Sequence, residues 1–192
     1  MTFKACALFL GALVAVPALA ADVLYTAAPC EIEAKAGSDY LGTLAVATPV
    51  TVLQTKGDLA RVRVDGWTLQ EFPTQLFKAA NVRIEYASID EEDDVKTDDK
   101  TVKEVAGNPW VKATVEGWVP KKVLTADVTG LWKAGEERLG QACASCHGAP
   151  AANHFTANQW ASQLPERGGR TGHSRAGANA LMFKYLQEHA KP

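Results

Sequence analysis

The chain has 192 residues, 47% hydrophobic and 22% charged, with 20 Lys/Arg against 22 Asp/Glu. Such a composition supports a packed core and excludes a disordered chain, and a net charge of −2 excludes the basic footprint of a nucleic-acid binder. The charge is unevenly spread: residues 21–130 carry 12 cations and 18 anions, whereas residues 131–192 carry 7 and 4, so two units of different character are expected.

Residues 1–20 run from Lys4 through the apolar "ACALFLGALVAV" to the small-residue end "ALA", the pattern of a secretory signal peptide cleaved after Ala20. The apolar run is too short to span a bilayer comfortably, so the expectation is export to the periplasm and a mature chain not embedded in the membrane. An uncleaved anchor is the alternative. Cys6 leaves with this segment, and Cys30 is left as a lone thiol that is either buried or paired between chains.

Residues 21–128 read as one β-rich unit. Pro49 to Gln54 and Leu59 to Val64 alternate as strands, and Lys56-Gly57-Asp58 and Asp65-Gly66 read as turns. The phrase "LARVRVDGWT" at 59–68 is echoed by "WVKATVEGWVP" at 110–120, each an alternating strand ending in acidic-Gly-Trp, with Gly freeing the backbone for a turn that presents Trp67 or Trp118. The stretch "IDEEDDVKTDDK" at 89–100 reads as an acidic hairpin loop, either solvated or docking a basic partner.

From residue 129 to 192 the pattern is helical. Thr129 is the expected N-cap of a helix carrying Leu131, Gly135 and Leu139 on one face. Ala178, Leu181, Met182, Tyr185, Leu186 and His189 form an apolar stripe on a terminal helix. Between them, residues 148–174 are rich in Gly, Pro, Asn and Ser, a loop that needs something to fill its middle.

"QACASCHGAP" at 141–150 supplies it. In C-x-x-C-H two thiols reach two substituents of one porphyrin from one helical turn, and the following His ligates the iron. Cys143 and Cys146 are therefore the expected attachment points of one covalent haem c, and His147 the proximal ligand. A redox-active C-x-x-C pair would want a βαβ setting, and a zinc site a second C-x-x-C or a His pair. For the iron's other face the candidates are His173, in the loop, and Met182, on the last helix; an open iron is the third possibility. His154 and His189 are poorer candidates. Trp160 and Phe155 are expected to pack on the porphyrin edge, and Arg167, Arg170 and Arg175 to neutralise propionates or a partner's carboxylates. No Ser-His-Asp set, paired carboxylates or phosphate loop occurs, so the reading is an electron-transfer protein, not an enzyme.

The strand-Gly-Trp phrases and "LGTLAVATPVTVL" resemble a bacterial SH3-like barrel. Residues 129–192 look like a small monohaem cytochrome c, in which a small residue of the first helix meets an aromatic of the last; Gly135 and Tyr185 match those places. The fold class expected is therefore two-domain, an N-terminal all-β SH3-like barrel followed by a C-terminal all-α monohaem cytochrome c. Taken together, "EGWVPKKVL", "CHGAP", "ANQW" and "KYLQEHAK" are similar to the C-terminal monohaem region of TorC-type pentahaem cytochromes. That resemblance implies delivery of electrons to a periplasmic molybdenum reductase of N-oxides or S-oxides. With a single C-x-x-C-H, the tetrahaem quinol-oxidising part is missing, so an upstream quinol-oxidising multihaem cytochrome is implied as a second partner. The family's loop Met is also missing, which keeps a haem-based ligand sensor open, as well as an SH3-like binding module with a structural haem.

Overall fold

In a computed structural model the chain is described over residues 23–143, 148–164 and 174–192. The expected signal peptide, Cys146, His147, Arg167, Arg170 and His173 lie outside the described residues. Ten strands come first: β1 (Val23–Thr26), β2 (Cys30–Lys35), β3 (Ser38–Leu44), β4 (Pro49–Lys56), β5 (Leu59–Leu69), β6 (Phe72–Ala79), β7 (Val82–Ile89), β8 (Lys96–Val105), β9 (Asn108–Pro120) and β10 (Leu124–Thr125). Among the described residues three α-helices follow: α1 (Val128–Cys143), α2 (Ala157–Gln163) and α3 (Ala180–Glu188).

The strands run in the order β10-β1-β4-β5-β6-β7-β3-β2-β9-β8, and β5 also pairs with β9. That extra pairing closes β5, β6, β7, β3, β2 and β9 into a six-stranded barrel, with β4, β1 and β10 continuing outward from β5 and β8 flanking β9. Alternation decides the interior. Val62 and Val64 of β5, Val115 and Val119 of β9, Ile32 and Leu76 point inward at 0–1% exposure, while Arg61, Arg63 and Asp65 between them stay in water. Each such side chain stabilises the barrel by roughly 1.5–3 kcal/mol of apolar burial.

The two acidic-Gly-Trp phrases are not turns. Both lie inside long strands and face each other across the β5–β9 ladder, with Val62 opposite Gly117, Arg63 opposite Glu116 and Gly66 opposite Ala113. Glycine is there because neighbouring chain approaches too closely for a side chain. A Cβ on Gly117 would sit 2.5 Å from Ile32 Cγ1 and 2.7 Å from the Glu33 carbonyl, at the β2–β9 seam; one on Gly66 would sit 2.8 Å from the Phe77 carbonyl, where β5 passes from β4 to β6. The ion pairs from Glu116 to Arg61 (3.0 Å) and Arg63 (2.9 Å) bridge the same two strands on the outside.

The acidic stretch 89–100 joins β7 to β8, two strands that do not pair, and holds a short 3-10 turn at Glu92–Asp94. Val95 is buried at 7% exposure and anchors the end of this crossover in the barrel core. Cys30 opens β2 half-buried against that core, and burial pushes its thiol up to about 11.

The expected class is corrected in its second half. Residues 129–192 do not fold as a free-standing all-α cytochrome domain: the chain is mostly β, and its helices are short, at 16, 7 and 9 residues. Their own core is small, formed by Leu139, Ala142, Trp160, Leu164, Met182 and Leu186. The stripe of α3 marks only one of its two buried faces. Met182 and Leu186 meet α1 and α2, but Lys184 and Gln187, which the pattern leaves to solvent, are 3% and 4% exposed. Lys184 Nζ donates to the Glu85 carbonyl (2.5 Å), and Gln187 Nε2 donates to the carbonyls of Arg83 (3.0 Å) and Ala157 (3.1 Å). From α2, Asn158 Nδ2 donates to the Asn81 carbonyl (2.7 Å) and its Oδ1 accepts from the Arg83 N–H (2.8 Å). The helices are thus a layer seated on the β6–β7 hairpin.

Candidate haem site

Helix α1 carries the first cysteine of the motif to this layer. Its start is capped by Asp127, whose Oδ1 accepts from the Gly130 N–H at 2.8 Å, two residues before the expected Thr129. Gly135 then lets α1 and α3 touch: a Cβ there would lie 2.7 Å from Tyr185 Cβ and 3.1 Å from the Leu181 carbonyl, the small-on-aromatic crossing expected of this pair. Two turns on, α1 ends at Cys143, half-buried beside the Leu139, Ala142, Trp160 and Leu164 cluster and in no disulfide.

Burial pushes the Cys143 thiol up, away from the thiolate. Among the described residues no three His, Cys, Asp or Glu side chains gather as a metal site. The features that do occur fit a porphyrin: a half-buried thiol at a helix end, an apolar wall beside it, and two helices crossed behind it.

The segment after the motif is better ordered than its composition suggests. Thr156 caps α2 and Gln159 reaches back to the Thr156 N–H, a reciprocal capping box. The T-x-x-Q spacing was the available signal for this helix, which the sequence reading leaves inside a loop. Trp160 is 2% exposed, donates from Nε1 to the Ala152 carbonyl (2.8 Å) and meets Phe155 edge-on at 4.9 Å, so both aromatics belong to the wall beside Cys143. Arg138 Nε donates to Asn179 Oδ1 (2.9 Å), tying α1 to the start of α3.

Met182 is fully buried between Leu139 and Leu186, the position of a core filler. His154 is exposed on a 3-10 turn against Phe155. His189 is exposed beyond α3, 4.4 Å from the Tyr185 ring and 5.5 Å from Trp132 by ring centroids. Arg175 lies 5.5 Å over the Phe183 ring.

The model of the TorC third cytochrome c domain family matches residues 19–124, more than half of the chain. The chain belongs to that family. The stretch matched by the TorC third cytochrome c domain holds every strand except the last residue of β10 and none of the helices, so in this chain the domain of that name is built on the β-barrel. Similar whole proteins reach further. The chain is 30% identical over 165 residues to cytochrome c-type protein TorC of Escherichia coli O157:H7, covering 82% of this chain and 41% of the relative. It is 31% identical over 153 residues to cytochrome c-type protein TorY of the same organism, covering 79% and 41%. For TorY of Haemophilus influenzae the identity is 30% over 139 residues, with 70% and 37% covered. Coverage of 82% of 192 residues exceeds what residues 1–124 can supply, so the likeness to TorC runs into the helical layer. The chain spans about two fifths of the length of these relatives. No solved structure matches.

Proposed function

We propose that the chain is a periplasmic c-type cytochrome that carries one haem c and passes electrons between protein partners. Thioethers from Cys143 and Cys146 hold the group, His147 is the proximal iron ligand and His173 the distal one. The observation that carries the reading is the half-buried Cys143 at the end of α1, beside an apolar wall and opening a C-x-x-C-H sequence. Bound there, the haem supplies a one-electron ferric/ferrous couple.

The chain's own part is to seat and tune it. Trp160 and Phe155 give the site an apolar side, and the Gly135–Tyr185 contact fixes the angle at which Cys143 arrives. Met182 is left in the core, which supports His173 as the ligand. The partners that fit this role are an upstream quinol-oxidising multihaem cytochrome and a periplasmic molybdenum reductase of N-oxides or S-oxides. Residues 1–20 act as the export signal. No helix among the described residues is long and apolar enough to cross a membrane.

A second reading, a sensor that binds small ligands at an open iron, is favoured by one observation: the mature chain's single methionine is packed among Leu139 and Leu186. One set of spectra separates the two. Exported protein should gain the mass of one haem and show low-spin, six-coordinate iron; His173→Ala should turn it high-spin, whereas Met182→Ala should leave the spectrum and cost about 2–5 kcal/mol of stability. Exported chain with no porphyrin mass defeats the cytochrome reading, and a spectrum indifferent to His173→Ala removes that ligand.

A further inference from the structure

Between the barrel and the helical layer lies a cavity of about 330 Å³, within the range of small-molecule sites. Its barrel side includes Phe77, Trp110 and Arg83, and its helical side Phe183 and Arg175. Trp110 is 1% exposed and packs edge-on against Phe77 with ring centroids 5.8 Å apart. Its Nε1 is fully buried with no hydrogen-bond partner. A buried donor left unmade costs on the order of 1–3 kcal/mol, which makes an orphan worth explaining. By contrast the other buried indole, Trp160, is satisfied by a backbone carbonyl.

The lining restricts what can answer it. An indole N–H only donates, so the missing group is an acceptor. Arg83 and Arg175 form no ion pair among the described residues, and a guanidinium prefers a planar oxyanion. Glu85 is the one carboxylate of the lining and leaves the two arginines in excess. Three aromatic rings surround the same space and want an apolar body behind the anion. The Gln187 side chain is already engaged with Arg83 and Ala157, and so serves as a fixed wall.

The geometry points to a carboxylate-binding site at this junction, in which Trp110 Nε1 with Arg83 and Arg175 receives a carboxylate borne on a flat apolar body. Two sources share that chemistry: a propionate of the chain's own haem and a free arylalkanoic acid. The haem source rests on the function proposed above; the free-acid source does not.

The test uses the full haem-loaded chain, ¹⁵N-labelled and reduced under carbon monoxide so that the iron is diamagnetic. The Trp110 indole resonance is assigned by its loss in Trp110→Phe, which keeps an aromatic ring in place. If a propionate is the ligand, the indole proton is shifted downfield and protected from exchange, and the propionate bands in resonance Raman spectra move in both Trp110→Phe and Arg175→Gln. If a free acid is the ligand, those bands stay fixed, and titration with 3-phenylpropionate moves the Trp110 resonance to saturation with a Kd weakened at least tenfold in Arg175→Gln. An indole resonance unmoved by the acid, with Raman bands unmoved by either substitution, overturns the proposal and assigns the donor to water. Should Trp110→Phe fail to fold, the indole resonance is assigned by triple-resonance and through-space experiments on the wild-type chain, and Arg175→Gln carries both readouts. A chain without haem defeats the cytochrome reading, yet the 3-phenylpropionate arm can still be read on it.

Discussion

The barrel and the helical layer are stabilised by different means. The barrel closes on its own side chains: sixteen buried residues form its core, and nearly all are aliphatic. Among the described residues the layer has six, and it reaches across to carbonyls of the β6–β7 hairpin with Asn158, Lys184 and Gln187. Apolar packing is non-directional and survives small shifts, whereas buried polar contacts fail when geometry slips. The layer should therefore be the part that loosens first and the part whose behaviour depends on pH.

The strongest way to break the contrast is to attack the barrel where it closes. Gly117→Val drives atoms into Ile32 and the Glu33 carbonyl, and should cost about 3 kcal/mol, read as a drop in the melting temperature of the β signal by circular dichroism. A smaller and more selective effect comes from Lys184. Burial lowers its pKa from 10.5 to about 8, against the raising influence of Glu188 and Glu85. Below pH 8 both folded and unfolded chains hold the proton and the cost of the buried charge is fully present. As pH rises from 8 toward 10.5 the folded state releases its proton first, and that cost fades. Unfolding free energy of the wild type should thus rise relative to Lys184→Met by on the order of 1 kcal/mol between pH 7.5 and 9, measured by denaturant titration. Equal slopes in the two proteins would show that the amine is solvated. The smallest effect belongs to the cap of α2. Thr156→Ala should cost about 0.5–1 kcal/mol, appearing as faster amide exchange in α2 while β5 and β9 stay protected.

Much of the barrel was legible because alternation marks strands and Gly57 marks a hairpin. Its closure was not, since β5 and β9 meet across some fifty residues and no local pattern announces a long-range ladder. The same gap explains the misreading of Gly66 and Gly117: a glycine needed for close approach has the same letter as one needed for a turn. In the helical layer, periodicity found the apolar face of α3 and missed the polar one, because Lys184 and Gln187 are buried for the sake of hydrogen bonds to main-chain carbonyls. Hence the two-domain expectation, which gave residues 129–192 an all-α fold around a haem of their own. The C-x-x-C-H motif was legible by spacing, as covalent chemistry demands fixed intervals, whereas the Trp110 cavity draws on β6, β7, β9 and α3 and has no linear trace.

The seat of the helical layer is made mostly of main-chain oxygen. Asn158, Lys184 and Gln187 read the carbonyls of residues 81, 85 and 83, atoms that every amino acid provides. The burden of specificity at these three contacts therefore falls on the helices: the hairpin side chains that do take part are Lys78, paired with Glu188, and Tyr86, under the Lys184 amine.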